Sequence, residues 1–418
     1  MWIGRPGPVH IEIPAPIMYS TGDEARVTIL PPPSYRRPGP FASQEQIDEA
    51  AVIIAAAKNP IVLAGAGVDR GCANTELLAL VELLDCPVIA TMAGRASVPS
   101  DHPNAVYAYS TAADAARRDA DVIIACASRV GNLDIPYDKY WGSPSTQKLI
   151  QIDVDPRNMG VTRPLSLGIL SEVKVALAAL VRTLRAGEPH PENGIHRTLP
   201  RSDAPVAREE IRVGLAWRGP GLHPAQALQV IGRLFGGDAI YVTDGGNTSL
   251  WSHWFRPATL PRSYLNILEL GMLGTGIPSA IGAKLGNPDR EVVCVSGDGA
   301  AGFNFMEMQS AARENLKLVT IVFAEGSWTM EEPNERRLFG RTFGTAMGTV
   351  RWHRAGEGLE CEGFVAHRLE DFEDTLKRAR ASSRPAVVCL QTDREANLAI
   401  PGELMMRFAE VYQGHMGQ

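Results

Sequence analysis

The chain has 418 residues, enough for two or three domains. Apolar residues make up 45% and charged residues 21%, and 41 basic against 47 acidic side chains leave a net charge of −6, which argues against nucleic acid or an anionic membrane as the main partner. No stretch approaches the roughly 20 apolar residues that span a bilayer, and no basic segment leads into an apolar core at the N-terminus, so a cytoplasmic protein is expected.

Val9-His10-Ile11-Glu12-Ile13 alternates like a strand and stops at Pro14, so residues 1–20 read as the final strand of a domain without that domain's body. Residues 21–42, with Pro31-Pro32-Pro33 and Pro38-Gly39-Pro40, read as a linker. A first full unit covers 43–186. It opens with a helix start at Ser43-Gln44-Glu45-Gln46, then alternates strands predicted near 60–64, 87–90, 121–125 and 148–153 with helices near 74–84 and 171–184. Residues 187–205 read as a second linker. The second unit, 206–418, predicts helices near 224–235, 278–285, 303–314 and 369–381, and strands near 239–243, 291–296, 318–323 and 386–392. Short continuous apolar strands between helices predict an α/β protein of two doubly wound, mainly parallel sheets. Cys126, Cys294 and Cys389 fall inside the apolar runs and no CxxC occurs, which reads as buried reduced thiols and not as a metal or disulfide framework.

The chemistry concentrates between Glu291 and Glu325. A buried strand runs into Gly297-Asp298-Gly299, a helix follows, and the next buried strand ends at Ala324-Glu325-Gly326. Asp298 and Glu325 therefore both stand just past the C-terminal end of a parallel strand, the edge where open α/β sheets bind ligands. The flanking glycines allow close backbone approach, and a helix opening at Ala301–Phe303 would suit a phosphate. Two carboxylates beside a phosphate suit Mg²⁺ or Ca²⁺. Asp-Gly alone would mark no more than a tight turn.

The stretch GDGAAGFNFMEMQSAARENLKLVTIVFAEGSW resembles the thiamin-diphosphate signature of the acetolactate synthase, benzaldehyde lyase and oxalyl-CoA decarboxylase superfamily. The resemblance places Mg²⁺ on Asp298, Glu325 and the Ser327 carbonyl. It places the cofactor on Gly297, Asp298, Gly299, Ala300, Ala301 and Glu325. Gly271-Met272-Leu273-Gly274 is similar to the segment beside the thiazolium ring, with Leu273 as the apolar prop. Gly246, Asn247 and Thr248 are similar to the loop that meets the diphosphate from the other side. One departure stands out: Ala324-Glu325 occupies the place of the family's Asn-Asn. The longer, charged side chain implies weaker cofactor binding or a preference for a larger ion.

Asn59–Gly67 and Ile150–Pro156 resemble phrases of the family's central domain. Some relatives bind FAD there, but the glycines from Gly65 to Gly71 lack the GxGxxG spacing, so FAD is the weaker expectation, and Arg95 and Arg129 read as structural. The opening Gly4–Pro14 is similar to the phrase that closes the family's pyrimidine-binding domain. That domain supplies the catalytic glutamate, and no residue here is assigned to it. Three arrangements fit: a chain longer at its N-terminus, a separate subunit, or a non-catalytic remnant, in that order. The resemblance implies a lyase or carboligase acting on a 2-oxo acid or aldehyde, in a homodimer or homotetramer or with a separate pyrimidine-domain subunit. The rival is a cofactor-binding scaffold without activity.

Overall fold

A computed structural model describes residues 4–35, 39–106, 108, 110–131, 141–187, 214–255, 258–266 and 271–398. The linker expected at 187–205 lies outside the described residues apart from Gly187, as does the expected start of the second unit near Val206.

The alternation at Val9–Ile13 does not become a strand. Val9, Ile11 and Ile13 are exposed, and among the described residues no strand pairs with them. A strand needs a neighbour for its N–H and C=O groups, and alternation alone supplies none.

The first sheet is all parallel. Its strands are β1 (Pro60–Ala64), β2 (Val88–Ala90), β3 (Ala105–Val106), β4 (Val122–Cys126), β5 (Lys148–Asp153) and β6 (Leu167–Leu170). Their order is β3-β2-β1-β4-β5-β6, so chain direction reverses beside β1, the doubly wound pattern. Every residue of β1 and β4 is buried, as expected for strands covered on both faces. The helix Gln44–Ala55 starts at a capping box in which the Ser43 hydroxyl accepts the Gln46 N–H (3.2 Å) and the Gln46 side chain accepts the Ser43 N–H (3.1 Å). Gly65 and Gly67 have a packing explanation: a Cβ at Gly65 would fall 2.2 Å from the Ala127 carbonyl, and one at Gly67 would fall 2.6 Å from the Ala127 Cβ.

The second sheet comprises β7 (Ile240–Asp244), β8 (Tyr264–Leu265), β9 (Val292–Gly297), β10 (Val319–Ala324), β11 (Glu362–Ala366) and β12 (Ala386–Gln391). All pairings are parallel, in the order β11-β12-β10-β9-β7-β8. From β7 the chain first moves outward to β8, then returns to lay β9 on the other side, so the switch point lies between β7 and β9. The helix expected over 303–314 is two helices, Asp298–Asn304 and Glu307–Arg313. The first begins directly after β9, five residues earlier than expected, and it ends where Asn304 donates its amide to the Gly274 carbonyl (2.8 Å). Sequence pattern also missed the helix Asn247–Phe255, whose Asn-Thr-Ser start favours turns when taken alone. The two units are joined directly: the Asp69 carboxylate accepts the Arg262 main-chain N–H at 3.0 Å, and Ser100 exchanges hydrogen bonds with Ala258. Among the described residues no helix is long and apolar enough to cross a membrane.

Two buried histidines couple this fold to pH. His223 caps the helix Pro224–Phe235, its Nδ1 accepting the Ala225 N–H at 3.0 Å, and burial holds its pKa down at about 4. Burial, with Arg95 adding to it, holds His253 at about 3. Both sit below the unfolded value of 6.5, so unfolding takes up protons in the acid range. Their contribution is complete above pH 6.5 and is lost as pH falls towards 4. Denaturant titrations should show stability declining across that window by about 1.4 kcal/mol per pH unit for each histidine. His223→Asn, which keeps a capping acceptor, should reduce the slope; an unchanged slope would remove His223 from the account.

Candidate functional site

The strand ends of the second sheet are level: Asp244 stands opposite Ser296, Gly297 opposite Phe323, and Ala324 opposite Gln391. Two buried aspartates hold the loops that leave them. Asp244 accepts the main-chain N–H groups of Gly245 (2.8 Å) and Gly276 (2.7 Å), tying the end of β7 to the start of the helix Gly276–Gly286. A Cβ at Gly276 would fall 2.6 Å from the Asp244 Cβ, so glycine is required there. Asp298 does the same for β9 and β10. Its Oδ2 accepts the N–H groups of Glu325 (2.9 Å) and Gly326 (2.6 Å), and Oδ1 accepts that of Gly299 (2.9 Å). Gly326 adopts φ +75°, which turns its N–H onto that carboxylate at no side-chain penalty. Burial raises the pKa of both aspartates while their backbone hydrogen bonds oppose the rise.

A cavity of about 110 Å³ opens between these loops. Gly246, Asn247 and Thr248 line it from beyond β7, and Gly297, Asp298, Gly299 and Ala300 from beyond β9. Glu325 and Ser327 line it from beyond β10, and Gly271 and Leu273 form a further wall. Of the residues expected on the cofactor or the cation, only Ala301 is not on the cavity; it is buried in the core with Phe305 and Met308. Gly245, Trp328, Thr329, Met330 and Glu331, which are not among the residues expected on the cofactor, also line the cavity. They complete the walls against glycine: a Cβ at Gly299 would fall 2.6 Å from the Trp328 ring, and one at Gly246 would fall 2.2 Å from the Met330 sulfur. Arg95 donates to the His253 carbonyl at 3.3 Å, a structural role.

Glu325 is the unusual group. Its Oε1 accepts the Thr329 hydroxyl and the Asn397 amide. Among the described residues its Oε2 is buried and has no hydrogen-bond partner, and the same holds for Asn247 Oδ1. Burial, with the neighbouring Asp298 charge in support, pushes Glu325 up to about 8 against the pull of those hydrogen bonds. The Ser327 hydroxyl is turned away, its one proton directed at the Glu332 carboxylate with the Thr345 carbonyl 3.1 Å away, which leaves the main-chain carbonyl as its contribution to a ligand. Glu332 is fully buried and binds Arg394 from the short helix Arg394–Leu398. That helix lies about 70 residues beyond the loop it braces, too far along the chain for any local pattern to connect them.

These segments match known domains. Residues 47–180 match the thiamine pyrophosphate enzyme central domain, and 244–390 match the C-terminal TPP binding domain. The chain belongs to the thiamine pyrophosphate enzyme family, and within it to the acetolactate-synthase-like members. It is 29% identical to a probable acetolactate synthase large subunit of Methanococcus aeolicus, over 99% of this chain and 72% of that protein. It is 28% identical to an acetolactate synthase of Mycobacterium bovis, over 92% of this chain and 63% of that one. It is also 28% identical to a sulfoacetaldehyde acetyltransferase of Castellaniella defragrans, over 89% and 65%. The chain thus spans about two thirds of the length of these relatives.

The Glu332 brace can be tested by itself. Glu332→Gln keeps the volume but leaves Arg394 without its charge partner, and should lower stability by about 2 kcal/mol in thermal or denaturant melts. A change below about 0.5 kcal/mol would mean the loop is held by other contacts.

Proposed function

We propose that this cavity holds the diphosphate of thiamin diphosphate through a divalent cation, taken as Mg²⁺. The observation that carries the reading is convergence: loops from β7, β9 and β10, distant in sequence, meet on one small cavity at the switch point of a parallel sheet. The donor set supports it. Asp298, the partnerless Oε2 of Glu325 and the Ser327 carbonyl are hard oxygen donors of the kind Mg²⁺ takes. Burial keeps the Glu325 carboxyl from ionising, and a cation beside it would favour the charged form.

In this reading the residues divide the work. Asp298, Glu325 and Ser327 hold the cation. Gly246, Asn247 and Thr248 face the diphosphate from the β7 side, with Gly297, Gly299 and Ala300 approaching from the other. Leu273 supplies an apolar wall for the ring end. Trp328 packs against Gly299 and Met330 against Gly246, narrowing the cavity on those sides. When bound, thiamin diphosphate supplies an electron sink for breaking or forming a bond beside a carbonyl. The names of the relatives, an acetolactate synthase and a sulfoacetaldehyde acetyltransferase, support a lyase or carboligase acting on a 2-oxo acid or aldehyde. The reading includes a pyrimidine-binding domain that completes the site, on a second chain or a longer form of this one, and a cytoplasmic oligomer.

Titration of the purified chain with thiamin diphosphate and MgCl₂, followed by calorimetry or tryptophan fluorescence, should give saturable, metal-dependent binding. Asp298→Ala removes a ligand and the clamp between β9 and β10, and should weaken binding at least about tenfold. Absence of saturable binding by the unaltered chain, even at millimolar Mg²⁺, would leave a scaffold role as the better reading.

A further inference from the structure

Glu325 stands where the family has an amide, and the hydrogen bonds around it decide how it can serve. The Asn397 side chain is fully committed. Its Oδ1 accepts the Trp251 indole N–H at 2.9 Å. An indole N–H only donates, so the orientation of this amide is determined, and its Nδ2 faces Glu325 Oε1 (2.8 Å) and Thr329 Oγ1 (3.2 Å). The Asn247 amide donates to the Asn397 main-chain carbonyl (3.1 Å) and reaches Thr329 Oγ1 (3.5 Å). Both amides give protons to Thr329, so the hydroxyl's own proton goes to Glu325 Oε1. Asn247, Thr329 and Asn397 are all at least nine-tenths buried. The extra methylene of Glu325 is thus taken up by folding Oε1 into a closed network, and Oε2 is left over as the partnerless oxygen.

We infer that Thr329 and Asn397 confine Glu325 to one-oxygen coordination and thereby set the cation preference of this site towards Mg²⁺. The inference rests on the cation reading of the cavity and deepens it. Mg²⁺ demands a compact octahedron with ligands at about 2.1 Å, to which a carboxylate gives one oxygen, whereas Ca²⁺ takes longer bonds and accepts both oxygens of a carboxylate. A free glutamate beside Asp298 would favour Ca²⁺. A glutamate whose Oε1 already accepts two fixed donors presents a single oxygen, as the family's amide does. Thr329 and Asn397 touch no ligand in this account; they act through Glu325 as positioning residues.

The test measures thiamin diphosphate binding to the purified chain with MgCl₂ and with CaCl₂, and takes the ratio of the two affinities. Thr329→Val removes the hydroxyl at nearly constant shape, and Asn397→Ala removes the amide; melting curves show whether each variant is folded. Each should shift the ratio towards Ca²⁺ by about fivefold, the loss of one hydrogen bond. With Glu325→Asn in the background, which has only one oxygen to offer, the same substitutions should leave the ratio within about twofold. Should Asn397→Ala unfold because Trp251 loses its partner, Thr329→Val carries the test alone. Binding that depends on metal but keeps its ratio in Thr329→Val would overturn the inference and leave the cofactor reading intact. No metal-dependent binding by the unaltered chain would overturn both.

Discussion

The Asp298 carboxylate is the point from which the site hangs. It sits at the end of β9, is nearly fully buried, and spends Oδ2 on two main-chain N–H groups at the end of β10. A buried carboxylate is tolerated only when its desolvation is offset, and here backbone donors offset it. The consequence is geometric: the loops beyond β9 and β10 cannot separate, so the groups they carry face one cavity. Asp244 repeats the device one strand over, on Gly245 and Gly276. Two aspartates thus convert level strand ends into level loops.

Around this clamp, the structure uses small residues where neighbours must come close. Gly299 makes room for Trp328, and Gly246 makes room for Met330. Substitution at either would push a wall of the cavity outward. The brace from Arg394 to Glu332 and the network through Asn397 then tie the β10 loop to the end of the described chain. Local rigidity at the site depends on tertiary partners from far along the sequence, which makes the short helix Arg394–Leu398 part of the site's support.

Glu325 shows how a departure from family pattern can be accommodated. Taken as an isolated residue, a carboxylate for an amide adds charge and length beside an anionic ligand. In place, one oxygen is consumed by Thr329 and Asn397, and one remains. The chemistry of the position is decided by its neighbours more than by the substitution.

Much was legible in the sequence because its signals are local. Continuous apolar runs such as Val292–Val295 and Thr320–Phe323 mark buried parallel strands, and Gly-Asp-Gly after such a run marks a loop at the ligand edge. Those patterns determined the two parallel sheets; the eleven residues expected on the cofactor came from the family resemblance, and ten of them line one cavity. What failed had a non-local cause. Val9–Ile13 has the alternation of a strand but no partner among the described residues, and pairing is a property of two segments. The helix Asn247–Phe255 begins with turn-forming residues and is held by burial of Trp251 and by Asn397. Ala301 shares the glycine-rich stretch with its neighbours, yet helical rotation turns it into the core. Only the tertiary structure could reveal the Asn397–Thr329–Glu325 network, because hydrogen bonds between buried side chains about 70 residues apart leave no periodic trace in the chain that makes them.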